Sequence, residues 1–322
     1  MPLSRRQFVA SLAGSLALSP NPQAPSPTPL PQPPSPRVAP PKSGTRLILL
    51  GTGGGPTPKR RRSSPAQAIV IGDRSYIVDC GDGVARQLAL AGVPLPSIRA
   101  VFITHQHSDH NADYGNLLMF AWVVGATAAI DTYGPPPLEK MTRLYLEMNA
   151  YDIEIRQKDE GRPPLGPLIR PHEISRDGLV VDDGHMKVTA ALNEHPPVTP
   201  SFAYRFDTSD RSIVISGDTN VSENLIKLAT GADVLVHEVM HVPSISAVLE
   251  KYPGVTRLRE HLLASHTTVE DVGRVAAAAN VKTLVLSHFV PGDIELPDNE
   301  WTAGARAHFK GRVVVGTDLM EI

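Results

Sequence analysis

Short apolar runs recur along the chain from residue 46 onward, each followed within two residues by glycine, histidine or an acidic residue. Runs of this length, rich in valine and isoleucine and bounded by turn residues, read as buried strands. They fall at residues 46–50, 66–71, 75–78, 100–103, 126–133, 186–192, 202–206, 212–215, 234–236, 283–286 and 313–315. Helical character lies between them at residues 82–90, 112–124, 138–149, 222–229 and 269–279, with Asp82 the expected N-cap of the first. Residues 152–171 are charged and rich in glycine and proline, and are expected to form a flap near the site or an exposed loop. Each half of the chain begins with strands and ends with helix–strand units. That order implies mixed sheets with outer helices, compatible with a duplicated, two-sheet sandwich.

Composition changes this picture in three places. The net charge of −2 gives the chain no overall pull towards nucleic acid or an acidic membrane. The single cysteine, Cys80, excludes an intrachain disulfide and a thiolate metal site, and reads as a small buried thiol. The N-terminus departs from the rest. Ser4-Arg5-Arg6-Gln7-Phe8-Val9 opens a modest apolar stretch, 8–18, too short to span a bilayer comfortably. A charged start, a short apolar middle and small residues after it make a signal peptide. It resembles the twin-arginine export signal, which implies a periplasmic or secreted protein. Residues 1–24 are assigned to this signal and 25–44, dominated by proline and serine, to a disordered linker. The folded domain is expected at 45–322.

The chemistry concentrates at strand ends. Thr104-His105-Gln106-His107-Ser108-Asp109-His110 follows the apolar run 100–103. Imidazole and carboxylate together suit zinc, or a related divalent metal such as iron or manganese. Alternation points His105 and His107 to one side, while Asp109 and His110 reach a second point nearby, a geometry for two adjacent metals. The arrangement recurs: His195 follows run 188–192, Asp218 follows 213–215, and His288 follows 284–286.

As a set these residues resemble the metallo-β-lactamase superfamily. His105-Gln106-His107-Ser108-Asp109-His110 matches its His-x-His-x-Asp-His signature in full, and His195, Asp218 and His288 match its later ligands in order. The resemblance implies an α/β (α+β) fold, a four-layer αββα sandwich with the site at one edge of the sheets. By position it implies two Zn2+ per chain. His105, His107 and His195 would hold the first, Asp109, His110 and His288 the second, and Asp218 would bridge them. Asp79 matches an acidic residue that orients a ligand or the turn rather than binding metal.

Gly51-Thr52-Gly53-Gly54-Gly55-Pro56 with Arg62-Ser63-Ser64, then Tyr133-Gly134-Pro135-Pro136, His237-Glu238 and Ser265-His266-Thr267-Thr268, look like the branch containing tRNase Z and the zinc arylsulfatases. There, Glu238 would orient His266, which would assist the leaving oxygen, and Asp109 would steer the nucleophile. Val239-Met240 departs from the tRNase Z pattern, where a small residue and threonine follow His-Glu. The short interval between His195 and Asp218, where tRNase Z commonly carries a long tRNA-gripping arm, and the export signal both weigh against tRNA processing. The basic run Lys59-Arg60-Arg61-Arg62 is too small for a nucleic-acid footprint. The expectation is an exported dinuclear-zinc hydrolase with a metal-bridging hydroxide, acting on aryl sulfates or phosphodiesters. A small anionic or aromatic substrate is expected, not nucleic acid, with dimers frequent in the branch. The alternatives are hydrolysis of a β-lactam, a lactone or a haloaromatic ring, a tRNase Z-like endoribonuclease if the chain is not exported, and a non-catalytic metal-binding protein.

Overall fold

A computed structural model describes residues 44–322. The signal-peptide reading of 1–24, and the linker reading up to residue 43, lie outside the described residues. The first sheet is built from β1 (Thr45–Gly51), β2 (Ala66–Ile71), β3 (Arg74–Val78), β4 (Ile98–Phe102), β5 (Ile130–Gly134) and β6 (Ile169–Glu173). The second holds β7 (Gly178–Asp182), β8 (Met186–Leu192), β9 (Phe202–Thr208), β10 (Ser212–Ile215), β11 (Val234–Met240), β12 (Thr283–Val290) and β13 (Arg312–Val315). A last strand, β14 (Met320–Glu321), returns to the outer edge of β1. Each sheet has seven strands, and each combines an antiparallel part with a parallel part.

The apolar runs are continuous because both faces of the central strands are covered. In β1, Leu47 and Leu49 face the core between the sheets, while Ile48 and Leu50 face the helices. The helices over the first sheet are α1 (Val84–Leu90), the short α2 (Ser108–Asn111), α3 (Tyr114–Val123), α4 (Leu138–Met148) and α5 (Ala150–Asp159). Those of the second half are α6 (Glu223–Ala229), α7 (Ile245–Lys251), α8 (Leu258–Ser265), α9 (Val269–Ala278) and α10 (Asp298–His308). Val214, Leu235 and Leu284 on the second sheet pack against Leu225 of α6, Val272 of α9 and Trp301 of α10. The result is the αββα order expected from the resemblance. Helices α7 and α8 instead form a small cluster of their own through Ile245 and Leu262, with Met240 and Val290 at the ends of β11 and β12.

Several expectations change. The segment 152–171 is neither flap nor loop at its start: α5 runs to Asp159, and β6 begins at Ile169. Its charges are spaced for a helix, with Arg156 pairing Asp152 and Glu160 at 3.0 Å each and Lys158 pairing Glu154 at 3.6 Å. Asp82 does not cap α1. Gly83 does, at φ 82°, and Asp113 Oδ2 accepts its N–H at 2.7 Å. The strand expected at 126–133 starts only at Ile130, and β11 and β12 run four residues past their expected ends at 236 and 286.

Asp233 ties the starts of three neighbouring strands together. Its carboxylate accepts from Ser212 N at 2.8 Å and Ser212 Oγ at 2.9 Å at the first residue of β10, and from Lys282 Nζ at 2.6 Å just ahead of β12. The Lys282 bond, with the Ser212 N–H, pulls the Asp233 pKa down to about 2. A carboxylate depressed by folding stabilises the fold above its unfolded pKa of about 3.9, and that contribution fades as pH falls towards about 2. Asp233→Asn is therefore expected to cost about 1 kcal/mol at pH 7. Urea titrations should show the gap to wild type closing between pH 4 and pH 2, whereas a gap independent of pH would remove the carboxylate from this role.

Candidate metal centre

The ligand-competent residues gather at one end of the two sheets, where the parallel strands leave the core. His105 and His107 lie on the loop leaving β4, and Asp109 and His110 on α2. His195 follows β8 and Asp218 follows β10. His288 lies inside β12, where Glu238 pairs with Ser287 and Val239 with Phe289. His288 is thus the extra residue of a β-bulge, at φ 43°, and the bulge re-aims its side chain towards the site. The glycine run clamps it. Phe289 N donates to Thr52 O at 2.9 Å and Gly54 N to Phe289 O at 3.1 Å, and a Cβ on Gly54 would stand 2.6 Å from the His288 ring.

Three sets of donor atoms lie within 4.8 Å internally: a first group of His105, His107, His195 and Asp218, a second of Asp109, His110 and His288, and a set of Asp218, His266 and His288 that shares members with both. In the first, His107 Nδ1 lies 3.1 Å from both His105 Nε2 and His195 Nε2. A tetrahedron with metal–nitrogen bonds of about 2.0 Å has edges of about 3.3 Å. Asp218 faces both groups. Its Oδ2 is 3.9 Å from His105 Nε2, and its Oδ1 is 3.3 Å from His110 Nε2 and 3.1 Å from His288 Nε2. His110 Nε2, His288 Nε2 and Asp218 Oδ1 converge in this way, yet all three are buried without a hydrogen-bond partner. Orphaned polar atoms are rare in folded proteins, and a shared divalent cation satisfies all three.

The charges agree with that fit. Burial holds His105 and His107 below the ordinary histidine value and takes His195 down to about 4, so these imidazoles are neutral and have lone pairs to offer. Burial also works against charge on His110 and His288, but Asp218 and its neighbouring carboxylates outweigh it and raise both. The carboxylates around the second group thus hold positive charge in place, as proton or as metal. Outer contacts orient the rings. Asp79 Oδ2 meets His110 Nδ1 at 2.7 Å, while Asp79 Oδ1 accepts from Thr104 N at 2.8 Å. His195 Nδ1 donates to Ser265 O at 3.0 Å, which leaves Nε2 for a ligand. Gly55 N donates to Asp109 Oδ2 at 2.9 Å.

Beside the second group, His266 Nδ1 lies 3.1 Å from both oxygens of Glu238, and its ring stacks 5.7 Å from that of His288. Burial opposes charge on His266, but the Glu238 carboxylate outweighs it and raises the pKa. Thr219 N fixes Glu238 Oε1 at 2.8 Å. His237 faces away from this chemistry, donating to the Glu238 carbonyl at 2.7 Å, and burial lowers it to about 4.

The groups open onto a cavity of about 390 Å³. Sequence reasoning missed its far wall, made by Val248, Tyr252, Leu258, His261 and Leu262 of the α7–α8 region. The signal was present, since Leu258, His261, Leu262 and Ser265 follow the i, i+3, i+4, i+7 spacing of one helix face. The basic run is divided. Lys59 reaches the cavity, with Nζ on Gly55 O at 2.5 Å and Thr57 O at 2.9 Å. Arg62 is structural, donating to Thr52 Oγ1 at 2.7 Å and lying 3.9 Å over the Phe289 ring.

Residues 74–289 match the model of the beta-lactamase superfamily domain. Ribonuclease Z of Mycobacterium bovis is 32% identical over 279 residues, 86% of this chain and 97% of that protein. Ribonuclease Z of Mycobacterium marinum is 33% identical over 279 residues, with the same coverage of 86% and 97%. Among solved structures, a metallo-beta-lactamase fold protein from Bacillus subtilis superposes with a TM-score of 0.63 at 22% identity, covering 86% of this chain and 98% of that one. The short form of human tRNase Z gives 0.62 at 22% identity, with 86% and 98% covered. These findings overturn two expectations, the exported arylsulfatase and the absence of a nucleic-acid partner, because the curated relatives named here are ribonucleases along almost their whole length. The short His195–Asp218 interval does not separate this chain from them. Over the 279 aligned residues the match takes up 86% of this chain and 97% of the Mycobacterium bovis protein. The chain belongs to the metallo-β-lactamase superfamily and is a metal-dependent hydrolase.

Proposed function

We propose that the chain is a tRNase Z-like endoribonuclease that holds two zinc ions and hydrolyses a phosphodiester of RNA. The observation that carries this reading is the 32% identity to ribonuclease Z over 86% of the chain, joined to a buried His266–Glu238 pair beside the metal-competent groups. His105, His107 and His195 would hold one metal, Asp109, His110 and His288 the other, with Asp218 between them. Bound there, the cations would supply Lewis acidity and lower the pKa of water.

The remaining steps belong to the chain's own residues. The scissile phosphate enters the cavity between the donor groups and the α7–α8 wall. Lys59 adds a positive charge at the rim, anchored on two loop carbonyls. Asp109, fixed through Gly55 N–H, accepts a hydrogen bond from the attacking water and aims it at phosphorus. A bond forms from that oxygen to phosphorus, its surplus proton passing to solvent, as the bond to the leaving oxygen breaks. His266, kept protonated by Glu238, gives its proton to the leaving oxygen.

The zinc-loaded protein should cleave RNA, with precursor tRNA carrying a 3′ extension as first substrate. His266→Ala is expected to slow RNA cleavage about 10²–10³-fold, since the leaving sugar alkoxide is poor. It should slow bis(p-nitrophenyl) phosphate much less. Equal losses on both would end the proton-donor role, and an RNA left intact by active wild type would end the ribonuclease reading.

Metal analysis should return about two equivalents per chain, removable with a chelator together with activity. Gly54→Ala pushes on the His288 ring, so it should retain about one equivalent while the first group stays loaded. Retention of both would show that His288 is not needed for the second ion.

Export through Arg5-Arg6 is proposed separately, and would part the protein from cytosolic precursor tRNA and leave it RNA outside the cytosol. Cell fractionation should place the processed wild-type protein outside the cytosol, and replacing both arginines by lysine should leave the unprocessed chain inside. Identical distributions would refute the export signal.

A further inference from the structure

α8 turns His261 towards the metal-competent groups, although His261 belongs to none of them. Its ring lies 6.1 Å from that of His107, 6.2 Å from that of His195 and 6.2 Å from that of His266. It lines the cavity between Leu258 and Leu262 and is only half-buried.

Its hydrogen-bond inventory fixes its tautomer. His261 Nδ1 lies 3.3 Å from Ser265 Oγ, one helical turn on. Ser265 Oγ carries one hydrogen, and gives it to Pro196 O at 2.6 Å. The shorter bond takes the proton, so towards His261 the serine oxygen can only accept. The hydrogen of the neutral ring therefore sits on Nδ1, and Nε2 presents a lone pair.

An acceptor in a cleft that receives RNA selects a donor. Phosphate oxygens only accept, and base N–H groups differ from base to base. The 2′-hydroxyl is the donor that accompanies every ribonucleotide and that DNA lacks. We propose that His261 Nε2 accepts a hydrogen bond from the 2′-hydroxyl of a ribonucleotide flanking the scissile phosphate, so that the cleft distinguishes RNA from DNA. This assignment rests on the ribonuclease reading of the same cleft.

The test uses the zinc-loaded full chain and an RNA cut at one position. Two further substrates each carry a single 2′-deoxy substitution, at the nucleotide 5′ or 3′ of the cut. In wild type, one of these should lower kcat/KM about tenfold, the scale of one hydrogen bond. In His261→Ala, at wild-type metal content, the ribo-to-deoxy ratio at that position should fall to about one. His261→Gln, whose amide oxygen accepts, should restore part of it. Ser265→Ala, which keeps the carbonyl that holds His195 but frees the His261 ring, should lower the ratio as well, and serves if His261→Ala does not fold. Wild-type indifference to both deoxy substitutions, or an unchanged ratio in the variants, overturns the assignment while the ribonuclease reading stands. Hydrolysis of bis(p-nitrophenyl) phosphate without cleavage of RNA overturns both.

Discussion

The structure depends on a buried carboxylate, Asp218, placed where several histidines can share its charge. It is 2% exposed, and its two oxygens face different groups of imidazole nitrogens. A carboxylate at that depth is tolerable only beside compensating positive charge. Asp79, Asp109 and Glu238 are buried around it, so four carboxylates share this end of the fold. Burial and the histidine partners set them against each other. His110 holds Asp109 well below the usual carboxylate range despite burial, whereas burial raises Glu238 despite His266. An excess of negative charge surrounds the donor atoms, and cations restore the balance. The bulge at His288 and the left-handed backbone of Asp79, at φ 59°, are strained features held in place by this polar centre and its surrounding contacts.

The metal-competent set was legible in the sequence because each member follows a short apolar strand, and both features are local. The run 100–103 followed by His105 to His110 needs no tertiary information. Asp79 as an orienting group was legible for the same reason, and its 2.7 Å contact to His110 agrees. What could not be read lies where tertiary packing overrides composition. Glycine and proline near 161–171 concealed α5, although the Asp152, Arg156, Glu160 spacing was helical. The helical spacing of Leu258, His261, Leu262 and Ser265 was in the sequence, but nothing local says that this wall buries against the ends of β11 and β12 rather than a sheet face. Nothing local to Ser265 announces that its hydroxyl reaches Pro196.

The expectation about nucleic acid failed for a different physical reason. A net charge of −2 describes the whole chain, but recognition of a phosphate is local. Lys59 and two dications would concentrate positive potential in one cavity without shifting the total composition far. Likewise Arg62, which adds to the basic run in the sequence, is spent on Thr52 and the Phe289 ring and is not available to a ligand. Counting basic residues along the chain thus does not tell how many of them face the cleft.

The cavity divides recognition between unlike walls. One wall bears the donor groups with His266, and on the ribonuclease reading it meets only the phosphate, which every nucleotide shares. The opposite wall is apolar, from Val248 to Leu262, with His261 as a polar point among Leu258 and Leu262. Ionic contacts fix the reacting phosphorus but cannot tell one polymer from another, since DNA, RNA and small diesters present the same charge. Discrimination must then come from contacts to the sugar and base. The His195–Asp218 interval is filled by β9 and β10, which pair antiparallel within the second sheet and leave no projecting arm among the described residues. The α7–α8 wall is therefore the element of this cleft best placed to read what flanks the phosphate, and its sequence rather than the ligands' should set which substrates are cut.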